Sequence, residues 1–175
     1  VVLGPAFAGV EVDGTTVRAG GAASLPVVAR RTAAAGLTGF EWAVGVPGSI
    51  GGAVRMNAGG HGSDMAATLR TIRVVDLGNG EDGAVPATLA ATDLDLGYRT
   101  SGIGPTDVVV DAELAVHPDD PAACAARIDE VVRWRREHQP GGANGGSVFR
   151  NPPGDAAGRL IDVSGCKGLR VGGAV

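Results

Sequence analysis

The sequence predicts an α+β chain, and three stretches carry that prediction. "VEVDGTTVRA" (10–19) alternates apolar and polar residues on either side of Asp13-Gly14, the composition of a tight hairpin. "DVVVDAELAVH" (107–117) is apolar at first and then alternates through Ala112, Leu114 and Val116, which reads as a strand. "DDPAACAARIDEVVRWRREHQ" (119–139) has Asp120 to cap a helix, Pro121 at its first position, and Ile128, Val131 and Val132 along one stripe. Arg133, Arg135, Arg136 and His138 gather at its C-terminal end, where positive charge suits the helix dipole, and Pro140-Gly141 stops it.

The remaining elements follow in order. After the hairpin, Ser24 can cap a helix with Pro26 in its first turn, "VVARRTAAA" as its body and Gly36 as its stop. Residues 36–66 are too broken by glycine for a long helix and too apolar for a linker. They read as turns with one short helical piece around Ile50 to Asn57. "LRTIRVVDL" (69–77) predicts a strand and "GNGEDGA" (78–84) a hairpin turn. "ATDLDLGYRTS" (91–101) reads as a short capped helix ending at Gly97, then a loop, and "AAGRLIDVSG" (156–165) as a short helix. There is no internal repeat.

Composition sets limits on function. At 175 residues the chain has room for one domain, or one domain and part of a second. Hydrophobic content of 44% suits a globular protein, and aromatics at 3% leave the core to Val, Leu, Ile and Ala. Glycine stands out, at 30 residues, and its clustering points to tight turns and to backbone that a ligand approaches closely. A net charge of −4 argues against nucleic acid as the main partner, because neutralising phosphates needs a basic face. No apolar run approaches the roughly 18 residues of a membrane span. Cys124 and Cys166 lie far apart, and His61, His117 and His138 are scattered, so no metal site is assigned and a reducing, cytoplasmic compartment is expected.

Three stretches could carry chemistry. In "VGVPGSIGGAVRMNAGG" (44–60), Pro47, Gly48, Gly51 and Gly52 bracket Ser49 and Ile50, so backbone N–H groups can turn inward unobstructed. Such a turn is either purely structural or a cradle for a phosphate or a flat ring. It is neither a dinucleotide G-x-G-x-x-G fingerprint nor a P-loop. In "GYRTS" (97–101), Arg99 is either a solvated surface charge or a two-point clamp for a carboxylate. In "GGANGGSVFRNP" (141–152), Ser147 ends a glycine-rich run, and the following Val148-Phe149 breaks the G-x-S-x-G pattern of a hydrolase nucleophile. It is a hydroxyl for capping the backbone, for hydrogen bonding or for giving a proton.

Taken together and in this order, "GFEWAVGVPGSIGGAVRMNAGGHG", "LGYRTS", "RREHQPGGANGGSVFRNP" and "AAGRLIDVSGCKGLRVGGA" make the chain resemble the UDP-N-acetylenolpyruvoylglucosamine reductases. The resemblance implies an α+β FAD-binding domain of the vanillyl-alcohol-oxidase type over residues 1–139, followed by the start of an α/β substrate-binding domain over 140–175. It implies non-covalent FAD, NADPH as electron donor, and UDP-N-acetylglucosamine enolpyruvate as the substrate reduced to UDP-N-acetylmuramate for peptidoglycan. On the matching motifs, Pro47, Gly48, Ser49, Ile50, Gly51, Gly52 and Asn57 would line the FAD. Arg99 would hold the enolpyruvyl carboxylate, Ser147 would be the proton donor, and Asn151 and Lys167 would contact the sugar nucleotide. The flavin loop that the family carries upstream and a glutamate near its C-terminus have no counterpart between Val1 and Val175, so little activity and weak FAD affinity are expected of this stretch alone. Its rivals are another flavoprotein of the same FAD-domain superfamily, such as an oxidase that reoxidises in air, and a non-catalytic fragment that would purify without flavin colour.

Overall fold

The computed structural model describes residues 1–78, 85–139 and 148–173. By its internal contacts the chain divides into two compact units, Val1–Gln139 and Pro140–Val175.

The first unit is built on a five-stranded antiparallel sheet in the order β1-β2-β8-β6-β7. Strand β1 (Val10–Asp13) and β2 (Thr16–Gly20) form the predicted hairpin, with Gly14 at φ +54 in its two-residue turn. Helix α1 (Leu25–Ala34) follows, with Pro26 in its first turn and Gly36 at φ +70 just beyond its end. Ser24 stands at the N-cap as expected, yet its hydroxyl makes no capping bond. Its backbone instead bridges Ser49.

Strand β3 (Leu37–Thr38), a 3-10 turn over Glu41–Gly45 and helix α2 (Ile50–Met56) come next. The small hairpin of β4 (Gly59–Gly60) and β5 (Ser63–Asp64) leads into β6 (Leu69–Asp76). Strand β7 (Ala87–Ala90) pairs with β6 at the sheet edge. The helix expected over 91–97 is a single 3-10 turn, Ala91–Asp93. The reason is the backbone within that span: Asp95 takes a positive φ, which a helix cannot continue through. Strand β8 (Asp107–Ala115) crosses the middle of the sheet, then comes β9 (His117–Pro118) and helix α3 (Pro121–His138), where the Asp120 carboxylate accepts the N–H of Ala123 at 3.0 Å.

Alternation along the strands decides the faces. Val17 and Ala19 of β2, Ile72 and Val74 of β6, and Val109, Ala112 and Leu114 of β8 are buried in one cluster with Leu25, Val28, Phe40, Ile50, Val54, Cys124 and Ile128. The opposite face carries paired charges: Arg18 and Arg70 reach Glu113 at 3.3 and 3.4 Å, and Arg73 clamps Asp111 across the register pair. A register shift between Arg73 and Val74 bulges β8 at Val110, whose carbonyl turns to accept the N–H of Gly21 at 2.6 Å.

The second unit has helix α4 (Ala157–Val163) as its regular element. The predicted turn at 78–84 lies almost wholly outside the described residues, which resume at Val85. None of the described residues from Val148 to Gly173 is buried.

Candidate functional site

A cleft of about 770 Å³ opens in the first unit where three segments distant in sequence meet. Gly21 and Ala22 leave the end of β2, Ser49, Gly51, Gly52 and Arg55 belong to the turn and helix α2, and Ile103–Val109 lead into β8. The meeting is a backbone one. Leu25 N–H donates to the Gly48 carbonyl (3.1 Å), Ile50 N–H to that of Ala23 (2.9 Å) and Gly51 N–H to that of Gly21 (2.9 Å). A Cβ on Gly21 would lie 2.1 Å from the Val109 carbonyl oxygen, and one on Gly20 would lie 2.0 Å from that of Phe7, so only glycine lets these chains touch.

Within the 47–52 turn, the N–H groups of Ile50 and Gly51 donate to the Ala23 and Gly21 carbonyls and so hold the 21–23 segment. Ile50 is fully buried, so its side chain is core. What stays available is narrower: among the described residues, the N–H groups of Gly48 (φ +127) and Ser49 have no backbone acceptor, and Gly52 N–H reaches only Ser49 Oγ, at 3.4 Å. Pro47 is exposed at the start of the turn. With Arg55 as the cation on the cleft wall and Leu3, Leu77, Ile103 and Val109 as its apolar lining, the space suits a ligand with an anionic part and a flat apolar part.

Asn57 stands elsewhere in this local structure. It ends α2 in the left-handed region (φ 39), its amide nitrogen donates to Asp64 at 3.1 Å, and its amide oxygen accepts Ala66 N–H at 2.9 Å. It therefore shapes the 57–66 loop and does not line the cleft. His61, at φ 51, sets its ring edge-on to Trp134 with centroids 4.9 Å apart.

Arg99 occupies the second central position of a tight turn closed by Gly97 and Thr100, which exchange N–H to carbonyl bonds of 3.1 and 3.2 Å. Its φ is +53, a conformation that a turn of this kind ordinarily reserves for glycine or asparagine. The guanidinium lies 6.0 Å from the Tyr98 ring centroid. Arg99 is not among the cleft's lining residues, but its turn is tied to the same helix: Ser101 Oγ donates to the Arg55 carbonyl at 2.8 Å.

Ser147 lies outside the described residues. In the second unit, Asn151 Oδ1 accepts the N–H of Ala157 at 3.0 Å at the start of α4, and Lys167 is largely exposed, 3.8 Å from Asp162. Among the described residues no cluster of His, Cys, Asp and Glu could hold a metal, and no helix is long and apolar enough to cross a membrane.

Gly20, Gly21, Arg55, Ser101 and the 103–109 wall escaped the sequence reading. A Gly-Gly pair directly after an alternating strand was the one local signal for the first two.

Comparison with known proteins agrees with this architecture. A family model described as "FAD binding domain" matches residues 1–82, and one described as "UDP-N-acetylenolpyruvoylglucosamine reductase, C-terminal domain" matches residues 138–175. A UDP-N-acetylenolpyruvoylglucosamine reductase of Acidiphilium cryptum is 47% identical over 169 residues, covering 96% of this chain and 53% of its own length. That of Granulibacter bethesdensis is 43% identical over 175 residues, covering 99% and 55%. The crystal structure of the reductase from Thermus caldophilus superposes with a TM-score of 0.81 at 36% identity, over 95% of this chain and 59% of that one. The chain thus spans a little more than half the length of the relatives it matches. By sequence and by fold, it belongs to the family of UDP-N-acetylenolpyruvoylglucosamine reductases.

Proposed function

We propose that the protein carrying this chain reduces the enolpyruvyl group of UDP-N-acetylglucosamine enolpyruvate, using NADPH and non-covalently bound FAD, to form UDP-N-acetylmuramate in the cytoplasm. Residues 1–139 act as the FAD-binding domain and 140–175 as the start of the substrate-binding domain. The compact units and the two matched family models support that division. The observation that carries the reading is the joining of the Arg99 turn to helix α2, whose N-terminal turn walls a cleft with both apolar and anion-binding surface.

FAD, held in this cleft, would supply the hydride chemistry that links NADPH to the substrate. The Ser49 N–H group and Arg55 on the cleft wall would hold its pyrophosphate, and Ile103 and Val109 would exclude water beside its apolar parts. Hydride addition at the terminal carbon of the enolpyruvyl ether leaves an enolate, with charge shared between the neighbouring carbon and the carboxylate. Arg99 matches that carboxylate in two-point contact and stabilises the growing charge. Ser147 gives its hydroxyl proton to the carbanion carbon. A serine is a weak acid, so this role requires a strongly basic acceptor and a hydroxyl within hydrogen-bond reach of it.

Stopped-flow absorbance on the full-length enzyme separates the two half-reactions. Ser147→Ala should leave flavin reduction by NADPH intact and slow substrate reduction by about 100-fold or more. Equal loss of both half-reactions would remove Ser147 from the chemistry. An enzyme whose reduced flavin is reoxidised fast by air and is indifferent to the UDP-sugar would instead be an oxidase of the same superfamily.

A further inference from the structure

We infer that Ser101 is a positioning residue: its hydroxyl locks the turn that carries Arg99 onto the end of helix α2. The inference rests on the reading of Arg99 as the group that holds the substrate carboxylate, and it assigns the device that sets that group in place.

Four observations converge. Ser101 Oγ donates to the Arg55 carbonyl at 2.8 Å, across 46 positions of sequence. The same oxygen accepts the N–H of Ile103 at 3.4 Å, so one hydroxyl joins the helix to both sides of the loop. Arg55 lies in the last turn of α2, where carbonyls lack an intrahelical donor, so the bond satisfies a group the helix itself leaves open. On the other side, Gly102 N–H donates to the carbonyl of Leu94, a fully buried residue, at 2.5 Å. The loop from Gly97 to Ile103 is therefore pinned at Leu94, at Arg55 and by its own Gly97–Thr100 pair.

Such pinning has a physical reason. A non-glycine residue at φ +53 relaxes unless its surroundings over-determine it, and strain of this kind gathers where a side chain must be aimed. Fixing the backbone beneath Arg99 limits where its long side chain can reach, so fewer orientations are lost when the carboxylate binds. Ser101 does not touch the substrate in this account. It acts through Arg99.

The test uses the full-length, FAD-loaded enzyme and four variants, Ser101→Ala, Ser101→Thr, Ser101→Cys and Arg99→Ala. Ser101→Ala should slow substrate reduction about tenfold, the size of one lost hydrogen bond, with flavin reduction by NADPH unchanged. Ser101→Thr, which keeps the hydroxyl, should recover most of that rate. Independently of activity, amide hydrogen exchange over Gly97–Ile103 should accelerate in Ser101→Ala and return in Ser101→Thr, while Ala112 and Leu114 in β8 stay protected. Should the alanine variant lose its flavin, Ser101→Cys, with similar volume and a weaker donor, is read in the same two ways. If Arg99→Ala is slow but Ser101→Ala matches the parent in both rate and exchange, the positioning role is overturned and the role of Arg99 stands. If Arg99→Ala reduces substrate normally, the reading of Arg99 falls and this inference with it.

Discussion

Glu41 shows how one side chain can carry a local structure. It is buried at the start of the 3-10 turn, and its two oxygens accept the Thr38 hydroxyl and the Arg127 Nε at 2.8 Å each, and the Gly39 N–H at 2.8 Å. Burial pushes its carboxyl upward, but the Arg127 guanidinium, the backbone N–H groups and Thr38 together hold it below the ordinary value of 4.5. A folded-state value lower than the unfolded one means that the ionised form stabilises the fold. That contribution is complete above about pH 4.5 and disappears as pH falls through the lower folded value. Glu41→Gln should therefore flatten the acid limb of stability below pH 4.5, measured by urea unfolding across pH, and Glu41→Ala should cost about 1 kcal/mol at pH 7 by leaving half-buried donors unpaired. An unchanged acid limb in Glu41→Gln would show that other carboxylates govern it. Arg99 is the contrasting case: its backbone sits at φ +53, and its guanidinium lies 6.0 Å from the Tyr98 ring centroid.

At the level of elements, the cleft exists because β2, the 47–52 turn and the bulge in β8 approach backbone to backbone. The bulge at Val110 and the Gly20-Gly21 pair are two halves of one device. The bulge turns carbonyls toward the end of β2, where Gly21 leaves room for that of Val109, while Gly20 leaves room for the Phe7 carbonyl on its other side. Gly21→Ala places a methyl carbon 2.1 Å from the Val109 carbonyl oxygen, so the strands must part. The expected result is a loss of about 1–3 kcal/mol of stability, the usual cost of overpacking, together with weakened flavin retention. Gly158→Ala, with open space around it in α4, is the control that should leave stability within about 0.5 kcal/mol. If Gly21→Ala matches the control in urea unfolding and in flavin content, the close approach does not matter to the fold.

At the level of the molecule, the two units differ in how much apolar surface they remove from water. The buried cluster runs from Val17 to Val131 and lies wholly in the first unit. In the second, Val148, Phe149, Leu160, Val163, Leu169 and Val171 are all exposed. Without burial, little opposes the conformational entropy of the backbone. Limited proteolysis of the 175-residue chain should thus cut first between 148 and 173 and leave a resistant core that contains the first unit, Val1–Gln139. Early cleavage inside β6 or β8, followed by mass spectrometry of the products, would contradict this division.

Local physical chemistry determined the elements and the family. The Asp13-Gly14 hairpin, the Asp120-Pro121 start of α3, the short helix after Ser49 and the alternation in β8 are each written in a few neighbouring residues, and the structure has them where those residues predict. Only the tertiary structure decided which polar groups the fold itself uses. The Ile50 and Gly51 N–H groups look available in the sequence and are used up by Ala23 and Gly21, while Asn57 turns to Asp64 and Ala66. Likewise the helix expected over 91–97 yields to positive φ at Asp95, and Ser101, unassigned in the sequence, becomes the link from Arg99's turn to α2. The reason is the range of the forces: propensity, capping and turn preference act within a few residues, whereas a hydrogen bond between Ser101 and Arg55 depends on a sheet that must first bring them together.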